Sequence, residues 1–234
     1  MDQIEALVDE VINTFSNDGR LFYLGAGTSG RLGVLDASET VPTFSVAPNM
    51  VTGLIAGGDD ALRNPIENAE DSKEAAKYDL EKANLTSKDF VIGIAASGRT
   101  PYSIGAIEYA REIGAKTGSI SCNKNAKISE YSDYPIEVET GAEVLSGSTR
   151  MKAGTATKMV LNMITTTAMI KIGKVYDNLM VDLKPTNEKL VDRATKIICE
   201  ISGYDYESSK KILSKADNNV KAAIIMATKN VDYE

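Results

Sequence analysis

The sequence predicts an α/β fold, a three-layer, doubly wound sandwich around a five-stranded parallel sheet, with a small helical module at its C-terminal end. Three observations predict it. Five short apolar runs are separated by segments of helical periodicity, the pattern of consecutive βαβ units. Loops rich in glycine and hydroxyl side chains follow the first and third runs directly, where helices open in such sheets. The end of the chain carries helical patterning alone.

The elements follow in order. Ile4, Leu7, Val8, Val11 and Ile12 repeat at helical spacing, and Asn17-Asp18-Gly19 ends that helix. RLFYL (20–24) reads as a buried strand running into GAGTSGR. VTGLIAGG (51–58) is a second apolar run, and a helix is expected over 61–80. DFVIGIA (89–95) is a third strand, entering SGRTP, where Pro101 suits the first turn of a helix reaching residue 113. Residues 117–121 and 135–138 are two more strands, flanking a helix near 126–131. Long helical patterning covers 151–171, and an amphipathic helix covers 187–201. Two short helices, 206–215 and 219–229, are separated from it by Gly203 and from each other by Asp217-Asn218-Asn219. A domain boundary is expected at Lys184-Pro185, dividing 1–184 from 185–234.

Composition excludes several functions. The 234 residues hold 26 Lys+Arg against 33 Asp+Glu, a net charge of −7, which disfavours non-specific binding to nucleic acid or acidic membranes. Histidine is absent, which removes Ser-His-Asp and Cys-His nucleophiles, His-ligated metals and imidazole proton shuttles. Cys122 and Cys199 lack CxxC spacing and read as ordinary reduced thiols. The N-terminal stretch is acidic and amphipathic, unlike a signal peptide. The most apolar stretch, 160–172, is too short and too polar for a bilayer span. A cytoplasmic protein is expected.

Residues 25–30 match GxGxxG after a strand. A dinucleotide site would need an acidic residue about 20 positions on, yet 40–58 contains no Asp or Glu. The loops suit a monophosphate better: glycine lets the backbone approach, the helix N-terminus offers free N–H groups, and hydroxyls donate to phosphate oxygens. Thr28-Ser29-Gly30-Arg31 and Ala96-Ser97-Gly98-Arg99 echo each other, and Ser146-Gly147-Ser148-Thr149-Arg150 precedes the long helix. In the strand order 2-1-3-4-5, strands 1 and 3 are neighbours, so Ser29 and Ser97 face one crevice. Glu67 and Glu70, three residues apart on the expected helix, share a face. Without histidine, proton transfer on a sugar falls to carboxylates.

Seven segments then carry a resemblance: GRLFYLGAGTSGRLGVLDASE (19–39), GLIAGG (53–58), ENAEDS (67–72), VIGIAASGRTPY (91–102), SCN (121–123), GSTRMKAGTATKMVLNM (147–163) and GKVYDNLMVDLKPTNEKL (173–190). In this order they resemble the N-acetylmuramic acid 6-phosphate etherase family of the sugar isomerase (SIS) superfamily, over almost the whole chain. The resemblance implies a SIS domain of flavodoxin-like order 2-1-3-4-5 over 1–184 and a partial UBA-like module within 185–234. It implies a cytoplasmic, homodimeric lyase needing no metal or cofactor. The family's substrate is a small sugar phosphate, whose D-lactyl ether is cleaved in peptidoglycan recycling. Glu39 of DASE and Glu70 of ENAED take the two catalytic positions, with Glu70 as base and Glu39 as acid. Ser29, Gly30, Ser97, Gly98, Ser148 and Thr149 take the phosphate positions. Thr28, Arg31, Arg99, Arg150, Glu67 and Glu143 are further substrate-binding candidates. Three departures stand out: Thr40-Val41 replaces a usual Cys-Pro, Asn68 replaces a usual glycine, and both ends are shorter than the family pattern. A phosphosugar isomerase and a sugar-phosphate-sensing regulator are the alternatives on the same fold.

Overall fold

The computed structural model describes residues 1–233. The chain forms two compact units, one of Met1–Glu39 with Pro48–Ala168 and one of Thr40–Ala47 with the chain from Met169 onward.

The first unit is built on five parallel strands: β1 (Leu21–Gly25), β2 (Val51–Ile55), β3 (Phe90–Ile94), β4 (Lys116–Ser121) and β5 (Tyr134–Glu137), in the order β2-β1-β3-β4-β5. β1 and β3 are buried along their whole lengths, so helices must cover both faces. On one face, α3 (Lys73–Lys82) and α4 (Pro101–Glu112) pack Ala76, Leu80, Tyr102 and Ala106 against Phe22, Leu24 and Val91. The other face carries α1 (Asp2–Ser16), α2 (Gly27–Phe44) and α5 (Lys152–Lys171). There Leu7 abuts Gly118, and Gly33 abuts Tyr23 and Ile94. At the N-terminal edge of the sheet, Arg20 grips the buried Asp89 through Nη2 at 2.7 Å and through its backbone N–H at 2.8 Å. That pair fixes β1 beside β3.

Two expected helices are shorter than their patterns. The stretch 61–80 is a 3-10 turn at Asp59–Leu62, a second at Ala69–Asp71, and only then α3. Pro65 disfavours helix at the residue before it, and Asn68 sits in the left-handed region at φ 58°. Ser72 then restarts the helix by accepting the Ala75 N–H at 3.1 Å. As a consequence, Glu67 and Glu70 do not share a helix face. The stretch 126–131 is a single 3-10 turn, Lys127–Glu130.

In the second unit, α6 (Glu188–Ser202), α7 (Tyr206–Lys215) and α8 (Val220–Lys229) gather Ala194, Ile198, Leu213, Ala216 and Val220 around Val181 and Leu183. Each helix has a side-chain N-cap: Asn187, Asp205 and Asn219 accept from Leu190, Ser208 and Ala222. Asp182 takes Lys174 at 2.8 Å and Lys221 at 2.9 Å.

Candidate active site

The site begins where β1 becomes α2. Gly25 and Gly30 are required there by close packing. A Cβ on Gly30 would stand 2.5 Å from the Gly25 carbonyl oxygen, and one on Gly25 would stand 2.8 Å from the Gly30 nitrogen. Gly27 has φ +53° and open space beside it, so the loop bends outward without a side chain in the way.

Against this loop lies a cavity of about 250 Å³, walled by Ala26, Gly27 and Arg31 on one side and by Asn64 to Glu70 on the other. Arg31 ties the walls together. Its Nε donates to the Leu62 carbonyl at 2.9 Å and its Nη2 to the Ala61 carbonyl at 2.5 Å. Arg31 was expected as a substrate contact; it is first an anchor for the segment that presents Glu67 and Glu70. Both glutamates are exposed at the cavity wall. Asn68, between them, supplies the left-handed turn that puts both on that wall. Asn tolerates that region far better than a bulky residue does, which accounts for Asn where glycine is usual.

The second loop emerges beside the first, because Gly25 pairs with Ile94 across the sheet. Gly98 is left-handed at φ +69°, and a Cβ there would stand 2.5 Å from the Ala126 Cβ. Ser97 is exposed and accepts the Arg99 N–H at 3.3 Å. Asn123, from SCN, donates to the Ala96 carbonyl at 2.9 Å and steadies this loop. Arg99 is exposed.

The third loop meets the first. The place of a Cβ on Gly154, in the first turn of α5, is 3.5 Å from Thr28 Cγ2. Further along, Asn162 donates to Asp36 Oδ1 at 2.6 Å and Thr165 Oγ1 to the same oxygen at 3.1 Å. The pairs 28–154 and 36–162 have one constant offset, so α2 and α5 run side by side in the same direction. Asp36 is buried, and burial raises its carboxyl above the ordinary range, against the hydrogen bonds from Asn162 and Thr165, which lower it. The Tyr23 hydroxyl and Asp36 Oδ2 are buried and make no hydrogen bond of full geometry to any other group. They still feel each other: burial first, then the charge of Asp36, raises the Tyr23 phenol.

Glu143 has a different place from the one expected. Its carboxylate accepts the Lys152 N–H at 3.1 Å and the Ala153 N–H at 3.0 Å. It therefore occupies the α5 N-terminus, and the Ala153 N–H holds its carboxyl below the ordinary value. Arg150 donates to Ser148 Oγ at 2.9 Å, within the loop itself. Ser148 is half-buried and Thr149 exposed.

Glu39 is exposed near the end of the first unit's share of α2. It follows Gly27 by twelve residues, about 18 Å along a helix at 1.5 Å per residue. A crossover helix runs against the strand direction, so Glu39 lies toward the opposite edge of the sheet from Gly27. Among the candidates, Arg31, Glu67 and Glu70 share this cavity, together with Gly27, and Glu39 is not among its lining residues. Sequence reasoning missed the anchoring by Arg31, the cap by Glu143 and the buried Asp36; only the DASE carboxylate run hinted at the last.

Among the described residues no three His, Cys, Asp or Glu side chains gather as metal ligands. No helix is long and apolar enough to cross a membrane.

Comparison with known proteins agrees with this architecture. Residues 3–111 match the glucokinase regulatory protein N-terminal SIS domain, and residues 66–167 match the SIS domain. A solved structure from Bacteroides fragilis is 20% identical with a TM-score of 0.58, covering 74% of this chain and 80% of its own. A phosphoheptose isomerase from Francisella tularensis is 15% identical with a TM-score of 0.55, covering 72% and 86%. These likenesses establish the fold. Among curated relatives, N-acetylmuramic acid 6-phosphate etherase of an Exiguobacterium species is 60% identical over 99% of this chain and 79% of its own length. The Bacillus cereus protein of that name is 58% identical over 100% and 79%. Etherase 2 of Enterococcus faecalis is 58% identical over 95% and 75%. At this identity and coverage, the chain belongs to the N-acetylmuramic acid 6-phosphate etherase family.

Proposed function

We propose that this protein is a carbon–oxygen lyase that converts N-acetylmuramate 6-phosphate and water to N-acetylglucosamine 6-phosphate and D-lactate, in recycling of cell-wall amino sugars. The observation that carries this reading is Glu70 on the wall of a cavity facing Gly27 and Arg31, at the carboxyl end of β1. Ligands of open α/β sheets sit at that end.

The chemistry needs a base and an acid. Opening the sugar ring exposes an aldehyde at C1, which acidifies the C2 proton. Glu70 takes that proton. The C3–O bond breaks as Glu39 gives a proton to the departing lactyl oxygen, and a C2–C3 double bond forms. Water then adds at C3 and a proton returns to C2. One carboxyl must start ionised and the other protonated. Glu67, on the same wall as Glu70, is the proposed partner of sugar hydroxyls.

Ser29, Gly30, Ser97, Gly98, Ser148 and Thr149 are the proposed phosphate cradle, with Thr28 linking the first and third loops. Arg99 and Arg150 are the proposed partners of the phosphate and the lactyl carboxylate. The phosphosugar domain is taken as 1–184, with a helical appendage over 185–234. The working protein is taken as a cytoplasmic homodimer without cofactor.

The test is direct. Purified protein is incubated with N-acetylmuramate 6-phosphate and D-lactate is assayed. Lactate release from the native protein, lowered by about 10²–10⁴-fold in Glu70→Gln, is expected. A folded protein that binds the sugar phosphate without releasing lactate would overturn the lyase reading in favour of a sensor.

A further inference from the structure

We propose that Glu137, at the end of the edge strand β5, is a positioning residue for the second phosphate loop: it shapes the segment 122–129, which clamps that loop at Ala96 and Gly98. The proposal rests on the phosphate positions given to Ser97 and Gly98 above. Its starting point is a difference between two loops of the same sheet. Beside the first, Arg31 reaches out to the carbonyls of Ala61 and Leu62. In the second, Arg99 stands at the equivalent place and is exposed. The second loop is held through its backbone instead, by the chain that follows β4.

The clamp has three parts. The Ala96 carbonyl accepts the Cys122 N–H at 3.0 Å and the Asn123 side-chain amide at 2.9 Å. The Gly98 carbonyl accepts the Ile128 N–H at 2.9 Å. The Ala126 Cβ stands against the bare Cα of Gly98, where a side chain would go. Carbonyl oxygens are the negative ends of peptide dipoles. A loop that takes phosphate must turn them elsewhere and offer its N–H groups to the ligand. The clamp engages two of these carbonyls.

The clamp is itself folded around one carboxylate. Glu137 Oε2 accepts the Asn125 N–H at 2.9 Å. Its Oε1 accepts the Ala126 N–H at 2.9 Å and the Ser129 hydroxyl at 2.6 Å. Asn125 is left-handed at φ 51°, so successive N–H groups converge on one point, a concavity for an anion. The anion here is the protein's own. Burial raises the Glu137 carboxyl, and the donors on Ser129, Ala126 and Asn125 outweigh it, leaving the group below its ordinary value. The sheet fixes where this charge sits. Glu137 pairs with Ser121 on β4, and its own N–H donates to Gln3 Oε1 on α1 at 3.1 Å. Without the carboxylate, the turn that brings Ala126 and Ile128 to Gly98 loses its template.

Titration calorimetry with N-acetylglucosamine 6-phosphate tests this, because it reads the phosphate loops without lyase chemistry. Glu137→Ala is expected to bind about tenfold more weakly than the native protein. Lactate release from N-acetylmuramate 6-phosphate should show KM raised by the same factor, with kcat nearly intact. Two second-site backgrounds separate positioning from general loosening. Added to Ser97→Ala, Glu137→Ala should weaken binding little further, because that loop's contact is already lost. Added to Ser29→Ala, on the first loop, it should cost the full factor of about ten. Glu137→Gln keeps one acceptor oxygen; it should show the same pattern at smaller size, and it carries the test where the alanine variant does not fold. Equal losses in the two backgrounds, or native affinity in folded Glu137→Ala, would overturn the proposal. A native protein that shows the binding pattern but releases no lactate would overturn the lyase reading and leave this proposal standing. A native protein that does not bind the sugar phosphate would overturn both.

Discussion

Two junctions rich in Ser, Gly and Arg, one after β1 and one before α5, have been put to different uses. After β1, the loop is open: Gly27 leaves space, and Glu67 and Glu70 stand at the wall of a cavity with their carboxylates exposed. Before α5, the loop is closed on itself. Glu143 fills the helix N-terminus, and Arg150 is spent on Ser148. Both have the composition of a phosphate loop. What separates them is where the nearest carboxylate goes. A carboxylate that satisfies backbone N–H groups is a cap, and one held away from them by a left-handed asparagine is available for chemistry.

The sharpest way to break this contrast is to remove Glu70. Glu70→Gln should lower lactate release by about 10²–10⁴-fold, the range for a general base, with melting temperature unchanged. Glu67→Gln at the same wall should mainly raise KM. Next in size is Arg31→Met. It leaves the Ala61 and Leu62 carbonyls without their charged donor, which should cost about 1.5–3 kcal/mol, read by urea denaturation. It should also weaken substrate binding, because the segment carrying Glu70 loses its anchor.

Asp36 follows. Asp36→Ala strands Asn162 and Thr165 and should cost about 1–3 kcal/mol. Asp36→Asn keeps an acceptor for both. It should also change the pH dependence in a defined direction. Because the folded carboxyl is raised, by burial first, its contribution is full below the ordinary carboxylate range. That contribution is lost as pH rises through the raised value. Asp36→Asn should flatten this limb, seen as denaturation midpoints measured from pH 4 to 8. The smallest effect belongs to the closed junction. Glu143→Gln should lower the melting temperature by about 2–4 °C and leave the kcat for lactate release nearly intact. A collapse of kcat there would mean that the cap is itself chemical machinery.

The sheet was legible because its strands are short, apolar and separated by clear breakers; both β1 and β3 lie within one residue of their patterns. The strand order came with the family resemblance, and the shared crevice of Ser29 and Ser97 followed from that order. The 61–80 stretch was misread because its periodicity continues across Pro65 and Asn68, and the backbone at those two residues wins over the pattern. The roles of Arg31 and Glu143 were illegible for another reason. Both are fixed by carbonyl and N–H groups, which no side-chain spacing reveals. The separation of Glu39 from Glu70 was readable in principle, since twelve residues of helix is a length. It became visible only once α2 was seen to run unbroken past Glu39.

The most direct measurement of the chemistry is isotopic. Turnover of N-acetylmuramate 6-phosphate in D2O should place deuterium at C2 of the N-acetylglucosamine 6-phosphate released. Glu70→Gln should abolish that exchange even when unreacted substrate is recovered and examined. Product formed with its original hydrogen still at C2 would contradict Glu70 as the base and elimination as the route.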